Sequence, residues 1–408
     1  MSKSPELRFD ISFYDDKHRD ALMKHKYAQR IKQLVDFGLS EKEEEFQVYA
    51  MFTEQDGRPR FRNYSELKRL VPRRIQMLKD YIDTSNGTVH SLVSPGENQV
   101  TERVGIAAAL LVVNKIFGLH RADWERIPET SKRKTMDFQL ASDGTEFILV
   151  EAKGTVFETG NLHRDTTLEG HIKEKKKAHL SKNPGLTSLF GVITGIPCQL
   201  NRTAQCLLLD PVFEDIEIEM DPAKYQLLSR LYFYSRILRV ISRGQLVRAL
   251  LNRIEVIKRS GNYIEFDGLP LVDIYEEPII PPPENASSIW NKTIVKDKIV
   301  GLMFPISKAG FFYYAVDMDV YRLMVEQNFK AIRNFRSTLS EQFIERVTYD
   351  NAIVDIRDLQ QYGIPSDQFR KIEEGKVMIT LTGSVHYDTS GQVIGFFGLP
   401  NETLSQLA

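Results

Sequence analysis

The chain has 408 residues, with 54 lysines and arginines against 55 aspartates and glutamates, a formal net charge of -1, 42% apolar and 27% charged residues. These proportions are ordinary for globular proteins and exclude a collagen-like, wholly disordered or membrane-embedded chain. The neutral total also excludes nucleic-acid binding through bulk charge, so any such partner must be held by a local patch.

The length predicts two or three domains. The longest apolar stretch, Ile106 to Val113, is far shorter than the roughly 20 residues that span a bilayer, so no membrane segment is expected. The opening MSKSPELRFD has no apolar leader core, and Cys198 and Cys206 are too few for a disulfide scaffold. A cytoplasmic protein with reduced thiols is the expectation.

Residues 1–95 read as a mostly helical accessory region, with the acidic run EKEEE at 41–45 and the basic KRLVPRR at 68–74. After Pro95-Gly96 the segment GIAAALLVVNKIFGL has the Ala/Leu content of a buried helix, carrying Glu102 in its first turn. Thr135 to Leu140 and Glu146 to Ala152 flank Ser142-Asp143-Gly144, a turn signal that predicts a hairpin whose second strand ends at Gly154. A charged helix is predicted over about 168–182. Two buried strands follow, at Leu189 to Ile196 and Gln205 to Leu209.

Residues 216–275 form a basic helical region, in which Ser242-Arg243-Gly244-Gln245 resembles a capping box dividing two helices. Between 221 and 260, nine lysines and arginines stand against only Asp221 and Glu255. The prolines of EEPIIPPPENASS at 276–288 mark a linker. Residues 285–408 mix α and β, with a helix near 318–336 and late strands around the turn Asp388 to Gly391. The nuclease-like core described next occupies 96–215.

Along a strand alternate side chains share a face, so Glu151 and Lys153 project together while Val150 and Ala152 face the other way. Asp137 on the partner strand lies beside Glu151 if the register allows. Two converging carboxylates suit a hard divalent cation such as Mg²⁺ or Mn²⁺, which polarises phosphate and acidifies its bound water. Lys153 would then orient the attacking water or stabilise charge on the phosphate.

Asp137 followed by Glu151-Ala152-Lys153 resembles the PD-(D/E)xK, or restriction-endonuclease-like, nuclease superfamily. The resemblance covers roughly 100–210, and Met136 stands where proline is usual. It implies an α/β fold: a mixed central sheet flanked by helices, here with N-terminal helical and C-terminal α+β regions. It also implies Asp137, Glu151 and Glu102 as metal ligands, with Lys153 completing the catalytic group.

The expected activity is a metal-dependent endonuclease hydrolysing DNA, in restriction or defence against foreign DNA. A repair, recombination or transposition nuclease is the enzymatic alternative, and a non-catalytic nucleic-acid-binding or scaffold protein the rival from another class. Lys173, Lys176, Arg236, Arg239 and Arg243 are candidate phosphate contacts; His163 and His171 are weaker candidates for the site. No GxxxxGK loop is present, so homo-oligomerisation or a partner protein supplying recognition or ATPase activity stays open.

Overall fold

The computed structural model describes residues 5–53, 61–93, 98–125, 127, 139–158, 162, 187–210, 220–241, 244–273, 275–279, 293–295, 299–308, 310–338, 344–373 and 376–399. The chain divides into two compact units, residues 1–59 with 73–229, and residues 60–72 with 230–408. Both are mixtures of helices and sheets, and no helix among the described residues is long and apolar enough to cross a membrane.

The first unit is built on β1 (Glu6–Phe13), α1 (Asp16–Leu22), α2 (Ala28–Phe37), β2 (Leu39–Lys42) and α3 (Glu43–Phe52). These are followed by α4 (Tyr64–Tyr81), whose first turns belong to the other unit, and by β3 (Ile82–Asp83), β4 (His90–Ser91) and α5 (Asn98–Phe117). The strands β5 (Gln139–Ser142), β6 (Phe147–Phe157), β7 (Thr187–Pro197) and β8 (Ala204–Leu209) complete it, with the start of α6 (Pro222–Ile241). Its six-stranded sheet has the order β2-β1-β8-β7-β6-β5. The β1/β8 and β6/β7 pairs are parallel and the others antiparallel.

The N-terminal stretch read as mostly helical therefore contributes two strands to the same sheet as the predicted core. In β1 the buried Leu7, Phe9 and Ile11 alternate with the exposed Glu6, Arg8, Asp10 and Ser12, a period of two that the surrounding charges obscure in the sequence. A hairpin stands where it is predicted, but its first strand includes Ser142, and residues 135–138 of the predicted strand lie outside the described residues. Ser142 pairs with Phe147 and Gln139 with Val150, and Gly144 takes a left-handed conformation at φ +88°, which a glycine adopts without steric cost. The second strand runs past Gly154 to Phe157, because β7 pairs with it along that whole length.

The second unit holds β9 (Thr293–Val295), β10 (Ile299–Pro305), β11 (Gly310–Asp317), β12 (Ile344–Asp355), β13 (Phe369–Glu373), β14 (Lys376–Tyr387) and β15 (Gln392–Gly398). Its helices are the remainder of α6, then α7 (Gln245–Arg259), α8 (Met318–Glu326), α9 (Phe329–Asn334) and α10 (Ile356–Gln361). The strands make one antiparallel sheet, ordered β12-β14-β15-β11-β10-β9 with β13 added beside β14. Phe311, Tyr313, Val377, Leu381, Val393 and Phe397 form the middle of its core. The break between α6 and α7 falls where the sequence predicts, but the cap is Gly244 at φ +76° with no side-chain hydrogen bond. The predicted helix near 318–336 is two helices, α8 and α9, separated by Gln327 in the left-handed region.

Candidate active site

Glu151 is completely buried on β6. Its Oε1 takes an ion pair from Lys153 Nζ at 2.9 Å, and the Lys153 side chain keeps 18% of its surface exposed. Period-two geometry makes the two residues neighbours on one face. The lysine compensates a carboxylate that would be costly to bury alone.

The two faces of the sheet are covered differently. Helix α5 lies on the face of Gly154 and Thr194: a methyl group added to Gly105 would come within 2.6 Å of Gly154 Cα, and Thr194 Oγ1 donates to the Gly105 carbonyl at 3.3 Å. Phe117 of α5 meets Phe190 edge to face on the same side. Glu151 and Lys153 project to the opposite face. There Phe147 packs on Tyr225 of α6, and Ile193, Leu207 and Leu209 pack with Tyr14 and Leu162. Glu102, partly buried on α5, is therefore on a helix that covers the other side of the sheet.

Asp137 lies outside the described residues, as do Arg243, Lys173, Lys176, His163 and His171. The register of β5 on β6 nevertheless sets a condition. Continued unchanged from Gln139↔Val150, it would oppose residue 137 to Ala152, whose side chain shares the α5 face. That register by itself would not bring residue 137 beside Glu151. Glu151 offers oxygen donors of the kind Mg²⁺ prefers. Among the described residues no group of three or more His, Cys, Asp or Glu side chains is arranged to hold a metal.

The basic region is partly turned inward. Arg230 is buried and donates to the carbonyls of Ile332 and Phe335 at 2.9 and 3.1 Å. Arg253 donates to the carbonyls of Phe266, Leu269 and Pro270. Arg236 lies over the rings of Phe61 and Phe233, whereas Arg239, one turn further on, is exposed.

A second polar cluster sits where β6 and β7 begin. His25 Nε2 contacts Ser188 Oγ at 3.1 Å, Ser188 Oγ donates to Glu146 Oε2 at 2.8 Å, and Lys26 Nζ pairs with Glu146 Oε1 at 2.7 Å. Tyr27 donates to Asp143 Oδ2 at 2.8 Å.

Burial, reinforced by that bond, pushes the Tyr27 phenol up to about 12. Burial of Asp143 opposes its ionisation, but hydrogen bonds from Thr145, the Glu146 amide and Tyr27 outweigh this and hold the carboxyl below its ordinary value. Burial likewise opposes the charge on Lys26, and the bond to Glu146 outweighs it, raising the ammonium. Residues 25–27 lie between two helices and far from 143–188 in the chain, so no local motif announces the cluster.

No family model matches the chain, no curated protein matches it, and no solved structure matches it.

Proposed function

We propose that the first unit is a metal-dependent nuclease of the PD-(D/E)xK type, acting as an endonuclease on DNA. The observation that carries this reading is the Glu151–Lys153 pair, held at 2.9 Å on one face of β6. It sits beside a parallel β6/β7 pair in a mixed sheet, where the superfamily's E-x-K would stand.

In this reading Glu151 and Asp137 would hold Mg²⁺ or Mn²⁺, which would polarise the phosphate and acidify a bound water. Lys153 keeps its ammonium beside the phosphate. Its donors would stabilise the negative charge that builds on the phosphoryl oxygens as water, losing a proton to solvent, attacks phosphorus and the bridging oxygen departs with the electron pair of the broken P–O bond and takes up a proton from solvent. Restriction or defence against foreign DNA is the setting that the resemblance suggests, with repair, recombination or transposition as its enzymatic alternative.

A second reading is favoured by two observations. Lys153 already neutralises Glu151, and Glu102 is borne by a helix on the opposite face of the sheet. Both fit a non-catalytic nucleic-acid-binding or scaffold protein in which the pair serves packing. Calorimetric titration with Mn²⁺, alongside cleavage of mixed DNA and RNA substrates, separates the two. The nuclease reading expects a cation site and cleavage that Asp137→Ala and Glu151→Gln both remove. Absence of cation binding and cleavage in the unaltered protein, or full activity in Asp137→Ala, overturns it.

A further inference from the structure

The cluster at the heads of β6 and β7 assigns the protons of Ser188 and His25. The Glu146 carboxylate is ion-paired with Lys26 on one oxygen and accepts from the Ser188 hydroxyl on the other. Having given its proton to Glu146, Ser188 Oγ must accept at its contact with His25, so His25 Nε2 carries the ring proton. Nδ1 is left with a lone pair, and the Tyr27 backbone N–H points at it from 3.4 Å. The ring is boxed in by Tyr27, stacked on it at 5.5 Å, and by Phe117, edge-on at 5.8 Å.

We infer that His25 is a pH-sensitive clip, closed only in this neutral tautomer, that fastens the connection between α1 and α2 to the first residues of β6 and β7. Protonation at Nδ1 turns an acceptor into a donor and sets it against the Tyr27 N–H. The turn then lets go of Ser188, and with it loosens the grip of Lys26 on Glu146 and of Tyr27 on Asp143.

Burial and the surrounding charges together decide where this happens. Burial is the largest influence and holds His25 below its ordinary value of 6.5. Lys26 on the same connection acts in the same direction, while Glu146 just before β6 and Asp210 beyond β8 favour the charged ring. Asp143 in the hairpin turn is taken up by Tyr27, Thr145 and the Glu146 amide. Because the closed state has the depressed value, the open state binds the proton first. Closure is therefore fully favoured above the ordinary imidazole range and is lost as pH falls through it toward the lower value of the closed state.

Hydrogen exchange of the full chain between pH 7.5 and 5.5, corrected for intrinsic chemical rates, tests the clip. Backbone amides of residues 24–28 should open at least about threefold more at the lower pH in the unaltered protein, and no more in His25→Gln, whose amide donates to Ser188 without titrating. Amides of residues 104–113 in α5 should stay protected in both. Equal protection of 24–28 at the two pH values overturns the inference, as does the same acid loosening in His25→Gln or a matching loss in α5. If His25→Gln fails to fold, the His25 ring is followed by NMR in the unaltered protein and in Ser188→Ala. A titration at or above 6.5 in the unaltered protein, or an unchanged one in Ser188→Ala, overturns it equally.

Discussion

Gly105 of α5 and Gly154 of β6 touch backbone to backbone: a methyl group on Gly154 would overlap the Thr101 carbonyl oxygen, and one on Gly105 would meet Gly154 Cα at 2.6 Å. Neither obstacle is a side chain that can swing away. Gly154→Ala should therefore lift the first turns of α5 off the strand and destabilise the protein by about 1–3 kcal/mol, as overpacking of a close interface does. Differential scanning calorimetry of Gly154→Ala and Gly105→Ala checks this. An unchanged transition in both would mean that helix and strand slide apart at no cost.

Glu151 and Lys153 form a pair whose two halves are unequally buried, 0% and 18% exposed in their side chains. Lys153→Met takes the cation away from a fully buried carboxylate and should cost about 3–5 kcal/mol at neutral pH. Glu151→Gln with Lys153→Met together should recover much of that loss, because neither charge of the pair remains. A double-mutant cycle by urea denaturation reads the difference. Additive single effects would show that the two charges do not depend on one another.

Tyr27 gives the alkaline counterpart of the His25 clip. Its folded value is raised from 10.0 to about 12, so the folded state keeps a proton that the unfolded chain has already released. Stability from this group is full below 10 and is lost as pH rises from there through about 12. The unaltered protein should lose stability across that window more steeply than Tyr27→Phe. Parallel pH–melting curves for the two proteins provide the check, and identical slopes would remove Tyr27 from the account.

The two arginines one turn apart on α6 should separate cleanly. Arg236 lies over two phenylalanine rings at 5.7 and 5.3 Å, so Arg236→Ser should cost about 1–2 kcal/mol of stability. Arg239 is exposed, and Arg239→Ser should leave stability within about 0.5 kcal/mol. If the basic region meets phosphate, Arg239→Ser should instead reduce the slope of log affinity against log salt for a DNA duplex by about one. An unchanged slope, measured by fluorescence anisotropy, assigns the exposed arginine no phosphate.

Much of the first unit was legible in the residues. The apolar run from Ile106 predicts α5, Ser142-Asp143-Gly144 predicts the turn before β6, and alternation alone puts Glu151 and Lys153 on one face. Alternation says which side chains share a face but not which face a helix will cover. The opposition of α5 to the Glu151 side is a tertiary choice, made where Gly105 and Gly154 permit close approach. Charge counting is blind in the same way, since it weighs Arg230, Arg236 and Arg253 like surface cations although carbonyls and rings hold them. The His25–Ser188 contact joins residues 163 positions apart, beyond the reach of any local pattern.

The position of β1 in the first sheet has a consequence for the order in which the chain can mature. Residues 9–13 pair in parallel with residues 204–208, while their other neighbour, β2, follows close behind in the chain. During synthesis the first strand made must wait for the last strand of its sheet, holding an unpaired edge through nearly the whole production of the unit. Such long-range parallel pairing is slow to form, and open edges invite pairing with other chains. Nascent or truncated chains that end before Ala204 should therefore be the species that depend on chaperones, whereas a chain extended past Leu209 can close that edge with its own strand.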